Sequence, residues 1–250
     1  MKRSHFVAGL SVAVAVTALS NVARSAEKVW KVHAKDRPQP KIVTPGDRLG
    51  DPPSDAIVLF DGKDLSKWER VAPKEGAPKW KIKNGAMTIA PLTGSIQTKA
   101  EFGDCQLHIE WRAAKGSRSN SGVFFMSQYE LQVYGSYKNS NPIYSDGVAG
   151  SMYGQQVPLV NVCRPTGEWE VFDTVFRAPR FGADGKVLQP ARITVLHNGV
   201  LVLNDAEIKG FTVHGKEAKY RKHPPKMPLQ LQDHRDPVSF RNIWIRPLGE

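Results

Sequence analysis

The chain has only two cysteines, Cys105 and Cys163, and neither stands in the paired spacing of a zinc ribbon or finger, which removes that kind of structural metal site. It carries no GxSxG elbow, HExxH pair, GxGxxG turn or P-loop. Serine esterase, zinc protease, dinucleotide and nucleotide-hydrolysing chemistries therefore lose their usual sequence support. No long stretch keeps a helical period, which argues against a helical bundle. Nor is any apolar run as long as the roughly 20 residues a membrane-spanning helix needs. The most apolar stretch, residues 6–19, follows Lys2 and Arg3 and leads to Ala23-Arg24-Ser25, a small-x-small cleavage pattern. Residues 1–25 read as a secretory signal peptide, and the destination as the periplasm or the medium. No cysteine follows the run to carry a lipid, so stable membrane insertion is not expected once the signal is removed.

Charge of one sign is in modest excess. Without residues 1–25, which hold Lys2, Arg3 and Arg24 and no acid, 32 basic groups face 24 acidic ones, a formal charge of +8. Part of the surplus lies in residues 209–226, where Lys209, Lys216, Lys219, Arg221, Lys222 and Lys226 are opposed only by Glu217. Phe211 and Tyr220 are the sole aromatics there, too few for a base-stacking surface, so this is a solvated basic loop and nucleic acid is not a partner. In an oxidising compartment the two cysteines allow one disulfide. Cys105 also alternates with Leu107, Ile109 and Trp111, which suits a small buried residue on a core-facing strand.

Residues 26–55 hold Pro38, Pro40, Pro45, Pro52 and Pro53 and read as a tether or a wrapped arm. From 56 to 250, short alternating segments recur between Gly, Asn, Asp and Pro clusters. Strands are expected at 80–82, 85–89, 105–112, 122–126, 130–134, 174–178, 192–196, 200–203, 229–232 and 240–245, with tight turns at Asn84-Gly85 and Asn198-Gly199. The fold class is all-β, a sandwich of two antiparallel sheets. Trp80, Trp111 and Trp244 are expected in its core.

Strand parity sorts the polar groups. Gln106, His108, Glu110 and Arg112 share one face, Glu130 and Gln132 another, and Gln230, Gln232 and, without a bulge, His234 a third. Glu, Gln, Arg and His on strand faces suit sugar hydroxyls and proton transfer. Trp68, Tyr134, Tyr137, Tyr144 and Tyr153 are available for stacking on sugar rings. A retaining glycosidase needs two carboxylates about 5 Å apart, and Gln132 occupies the place where a partner for Glu130 would stand.

In order along the chain come Leu59-Phe60-Asp61-Gly62-Lys63-Asp64-Leu65-Ser66-Lys67-Trp68, Glu110-Trp111-Arg112, Asn120-Ser121-Gly122-Val123, Tyr129-Glu130-Leu131-Gln132-Val133, Gly150-Ser151-Met152-Tyr153, Gly167-Glu168-Trp169, His197-Asn198-Gly199, Leu231-Gln232-Asp233-His234 and Phe240-Arg241-Asn242-Ile243. Together they resemble the 3-keto-disaccharide hydrolase domain family, whose fold is a concanavalin A-like jelly roll. The chain departs from the family pattern at Met126, at Tyr134 with Gly135, and at Glu170.

The resemblance implies a substrate sugar already oxidised to a ketone at C3. The ketone acidifies the C2 hydrogen, a base removes it, the C1 substituent leaves by β-elimination, and water addition completes net hydrolysis. It implies Glu130 and His234 as base and acid in an order left open, and Arg112 or Arg241 polarising the ketone. Asn120, Gln132, Tyr153 and Gln232 would hold hydroxyls, and Arg241 has an equal claim to a structural role. The resemblance fixes no cofactor, and a divalent cation on Glu130, Asp233 and His234 is left open. The alternative is a non-catalytic, lectin-like carbohydrate-binding module on the same fold.

Overall fold

The computed structural model describes residues 29–74, 76–139 and 144–249, so the expected signal peptide lies outside the described residues. The described residues fall into two units, one of residues 29–42 and one from Val43 onward. Residues 29–42 are mostly exposed and contain turns closed by Ala34 N–H to Lys31 O and Arg37 N–H to Ala34 O.

In chain order the strands are β1 (Ile57–Phe60), β2 (Trp68–Arg70), β3 (Lys81–Lys83), β4 (Ala86–Thr88) and β5 (Ile96–Phe102). There follow β6 (Cys105–Arg112), β7 (Asn120–Phe125), β8 (Tyr129–Tyr134), β9 (Glu170–Arg177) and β10 (Arg180–Phe181). The last are β11 (Val187–Gln189), β12 (Arg192–His197), β13 (Val200–Glu207), β14 (Met227–Leu231) and β15 (Ser239–Pro247). No α-helix occurs among the described residues.

The larger sheet has eight strands in the order β13-β12-β9-β6-β15-β4-β3, with β1 also paired to β15; the smaller has five, β2-β5-β14-β7-β8. Pairing in both is antiparallel. This is the jelly-roll sandwich that the strand pattern predicts.

Alternation explains the layers. On β6, Cys105, Leu107, Ile109 and Trp111 are buried against the smaller sheet's Val123, Phe125, Tyr129 and Leu131. Phe125 stacks on Phe176 of β9 with ring centroids 4.7 Å apart. Each large side chain so buried contributes about 1.5–3 kcal/mol. The hairpin turns expected at Asn84-Gly85 and Asn198-Gly199 are present, with φ of 52° and 72° in the first and 52° and 80° in the second, the left-handed pair such turns require. Cys105 and Cys163 are buried free thiols, which settles the cysteine alternatives in favour of packing.

Trp244 corrects an expectation. The register against β6 runs Arg241↔Glu110 and then Trp244↔His108, so β15 holds one extra residue, with Asn242 at φ 46°. A bulge of this kind re-aims the residues after it. Phe240, Ile243 and Ile245 enter the core cluster, while Trp244 is buried outside it. There its indole N–H donates to Gly50 O at 2.8 Å and its ring stacks on His108 at 5.2 Å. Gly50 thus lies against the larger sheet. Arg246 adds a two-point ion pair to Asp55, both contacts 2.8 Å.

Candidate active site

The outward face of the smaller sheet carries Glu130 and Gln132 on β8, Asn120 and Phe124 on β7, and Gln232 just past β14. Register brings them together: Asn120 pairs with Tyr134, Gly122 with Gln132 and Phe124 with Glu130, while Gln232 N–H donates to Gly122 O at 3.0 Å. Gly122 therefore lies between Gln132 and Gln232. A methyl group there would fall 2.4 Å from Glu130 Oε1 and 2.8 Å from the Phe124 ring. The missing side chain is what lets the carboxyl lie over the strand.

Glu130 is only 5% exposed. Among the described residues its carboxyl makes no hydrogen bond or ion pair, and burial alone pushes its pKa up to about 8. A carboxyl removed from water without a compensating donor favours its neutral form. Beside it, Gln132 Nε2 donates to Asn120 Oδ1 at 3.1 Å, yet the amide oxygens of Gln132 and Gln232 are both buried without a partner. Orphaned buried acceptors are uncommon in a folded chain and point to a ligand that donates.

A short extension completes the edge. Gln132 N–H donates to Ser151 O, Gly150 N–H to Gln132 O and Tyr153 N–H to Glu130 O, at 3.0, 3.0 and 3.1 Å. Met152 bridges Leu131 and is fully buried, so Tyr153 projects to the same side as Glu130. Its hydroxyl lies 2.9 Å from Tyr144 Oη and 2.7 Å from His214 Nδ1. Burial and the Tyr144 contact raise the Tyr153 pKa, with the charge of Glu130 adding to the effect. The phenol therefore keeps its proton.

Four site residues from the sequence thus share this face with Glu130: Asn120, Gln132, Tyr153 and Gln232. Arg112 and Arg241 do not. Both lie on strands of the larger sheet and point away from the core, on the opposite side of the sandwich from Glu130. Their guanidinium carbons sit 4.6 and 4.1 Å from the centre of the Trp169 ring. Arg241 also donates to Glu110 Oε2 at 2.5 Å. Parity was right for each strand, but strands of equal parity belong to different sheets.

His234 lies beyond the end of β14, exposed, and no hydrogen bond ties it to Glu130. Asp233 accepts from the backbone N–H groups of Gly94 and Arg235, both at 2.9 Å, which orders the loop. Glu130, Asp233 and His234 are not gathered into a metal-ligand group. Among the described residues the one such group is Cys163, Glu170 and His197, with ligand atoms within 4.8 Å of one another. It is already internally bonded. Glu170 accepts from Arg164 N–H at 2.7 Å and Asn198 Nδ2 at 2.5 Å and contacts His197 Nε2 at 2.9 Å; Cys163 Sγ lies 3.2 Å from Ser136 Oγ. The departure at Glu170 is thus an interior polar network.

Sequence reasoning missed Phe124 and His214. Phe124 shares the parity of Asn120 and Gly122, so alternation held that signal. His214 sits in the stretch read as a solvated basic loop and nothing local marked it.

The outer face of the larger sheet is a different environment. His108 Nδ1 contacts Asp173 Oδ1 at 2.6 Å, and Asn242 Nδ2 donates to Glu110 Oε1 and Gly50 O, both at 2.9 Å. Burial opposes the charge on His108, but Asp173 and Glu110 outweigh it and hold its pKa at about 9. Burial likewise works against the Glu110 carboxylate, and bonds from His108, Asn242 and Arg241 bring it down to about 2. A cleft of ≈ 570 Å³ opens beside this network, lined by Arg48, Asp51, Asp61, Glu110, Arg241 and Asn242 among others.

The antiparallel jelly roll thus holds an unpaired buried carboxyl and two partnerless amide oxygens on one face of its smaller sheet. Residues 55–246 match the 3-keto-alpha-glucoside-1,2-lyase-like domain, and the chain belongs to that family. A curated 3-keto-disaccharide hydrolase of Bacteroides thetaiotaomicron is 30% identical over 81 residues, a match that spans 29% of this chain and only 27% of that protein. A crystal structure from Parabacteroides distasonis, provisionally named a glycosyl hydrolase, is 45% identical with a TM-score of 0.78, covering 84% of this chain and 93% of that one. A second from the same organism, similarly named, shares the fold at 19% identity and a TM-score of 0.58, covering 78% and 94%.

Proposed function

We propose that the protein cleaves 3-keto-glycosides by removal of the C2 proton, β-elimination of the C1 substituent and hydration of the resulting enone. The observation that carries this reading is the isolated carboxyl of Glu130, with its pKa near 8, on the same sheet face as two partnerless amide oxygens. A base works best when its pKa lies near the operating pH. Elimination next to a ketone needs one such base and no second carboxylate, whereas ordinary retaining hydrolysis needs two. Gln132 and Gln232 accept from the sugar hydroxyls, and amide N–H groups of Asn120 and Gln232 face the developing enolate, the role sequence reading had given to Arg112 or Arg241. Phe124 offers an apolar ring beside them.

A binding module without turnover would use the same amides and ring, but it would have no use for a carboxyl held near neutrality. Residues 1–25 are proposed to direct export, which N-terminal sequencing of the cell-produced protein checks: its first residue should be Ala26.

The test is incubation of the purified protein with 3-keto glucosides, following release of the leaving group with and without chelator. Release that disappears in Glu130→Gln while binding persists supports the reading. No release from any 3-keto glycoside would sink it. Loss on chelation with recovery on adding a divalent cation would bring a metal into the site.

A further inference from the structure

We propose that Tyr153 is the acid that protonates the departing glycosidic oxygen, with His214 as the positioning residue that orients and recharges it, so that the enzyme acts on glycosides with poor, alcohol-type leaving groups. The proposal rests on the elimination reading above and names the second catalytic group that reading lacks.

The chemistry sets the requirement. When the C2–H bond breaks, its proton goes to Glu130 and its electron pair forms the C1=C2 bond as the C1–O bond breaks. The departing oxygen then carries negative charge. A nitrophenolate can leave with that charge, whereas the alkoxide of an alcohol or a second sugar must take a proton in the same step. Glu130 has just received the C2 proton, the two arginines lie on the other sheet, and no hydrogen bond ties His234 to Glu130. Tyr153 is the proton-bearing group placed beside Glu130: its backbone N–H donates to Glu130 O at 3.1 Å, and it projects from the same sheet face.

Its hydroxyl is held from two sides, by Tyr144 Oη at 2.9 Å and His214 Nδ1 at 2.7 Å. A phenol can donate one proton and accept from another donor. With a substrate present, the Tyr153 proton passes to the leaving oxygen and is replaced through His214, which is exposed and draws on solvent. Water then adds at C1 of the enone as hydroxide, C2 recovers the proton held by Glu130, and the water's other proton returns to solvent, offsetting the one drawn through His214. Atoms balance: a 3-keto glycoside and water give a free 3-keto sugar and an alcohol. None of these roles needs Arg112, Arg241 or His234.

The experiment compares kcat/KM for two 3-keto glucosides, one with an alkyl aglycone and one with a 4-nitrophenyl aglycone, in wild type, Tyr153→Phe and His214→Gln. Tyr153→Phe removes a single oxygen, and an unchanged melting temperature verifies its fold. It should lose about 10²–10⁴-fold on the alkyl substrate and less than about 10-fold on the nitrophenyl one. His214→Gln should lose less, again mainly on the alkyl substrate, with a displaced pH profile. Equal losses on both substrates would make Tyr153 a binding residue only, and no loss would leave Glu130 serving as both base and acid; either result overturns the proposal while the elimination reading stands. Failure of the wild type on both substrates removes the elimination reading itself.

Discussion

The two outer faces of this sandwich both carry a glutamate, Glu110 on a central strand of the larger sheet and Glu130 on the last strand of the smaller, and treat it in opposite ways. On the larger sheet Glu110 is met by Arg241, Asn242 and His108. On the smaller sheet Glu130 is the more deeply buried of the two and meets no donor among the described residues. A satisfied carboxylate contributes to folding and is inert as a base, since its pKa lies near 2. An unsatisfied one costs stability and is reactive near pH 8. The contrast between the faces is therefore one of network completeness.

The sharpest way to break the comparison is to remove each carboxylate in turn. Glu130→Gln should reduce turnover of a 3-keto glycoside by about 10⁴-fold or more, at the upper end of what one proton-transfer group contributes. It should also raise the melting temperature at pH 9. The folded-state pKa lies above the unfolded one, so the neutral form is favoured in the fold, and stability falls as pH rises from about 4.5 through 8. Relieving that cost adds about 3 °C or more for a domain of this size. Calorimetry at pH 5 and pH 9 separates the two effects, because the gain should vanish at pH 5. Glu110→Gln should do the reverse, costing about 1–2 kcal/mol, because His108 is buried but Arg241 is exposed enough for water to screen it, while leaving kcat of the folded fraction within about 2-fold.

Acidity and alkalinity sharpen the contrast next. For wild type, kcat/KM should rise with pH and level off above about 8 as Glu130 ionises. The larger-sheet network should behave differently. His108 has a folded-state pKa of about 9, above its unfolded value, so its contribution is complete below about pH 6.5 and is lost as pH rises through 9. Glu110 has its pKa lowered, so its contribution is present above about pH 4.5 and lost as pH falls toward 2. His108→Gln should flatten the alkaline loss of stability, by up to about 3 kcal/mol, without moving the pH profile of activity. A shift of that profile would show that the faces communicate.

Much of this was legible in the residues. Alternation in Cys105–Arg112 and Tyr129–Tyr134 located the inward and outward sets, and Asn-Gly pairs located two hairpin turns, because both signals are local. What alternation does not encode is the partner of each strand. β6 and β8 present equally polar outward faces, and only the long-range pairing of β6 with β9 and β15, and of β8 with β7, puts them in different sheets. The bulge at Asn242 was invisible for a related reason: it is defined by the register against Glu110 and His108. His214 approaches Tyr153 from 61 residues away, in a stretch whose composition signals only solvation.

Arg112 gives the smallest expected effect and the most direct test of that separation. A cation was sought for the enolate because a developing negative charge is best met by a preorganised positive group, and Arg112 had the right parity. In the fold its guanidinium rests 4.6 Å from the centre of the Trp169 ring, with the hydrophobic core between it and Glu130. A half-exposed cation–π contact of this kind is worth about 0.5–1 kcal/mol. Arg112→Ala should therefore lower stability by that order and leave kcat/KM for 3-keto glycosides within about 2-fold. The electrostatic reach argues the same way, since charges more than about 8–10 Å apart are largely screened at physiological salt unless both are buried. A loss of 100-fold or more in turnover, with stability unchanged, would mean that the arginine reaches the substrate and that the smaller sheet's face is not by itself the active site.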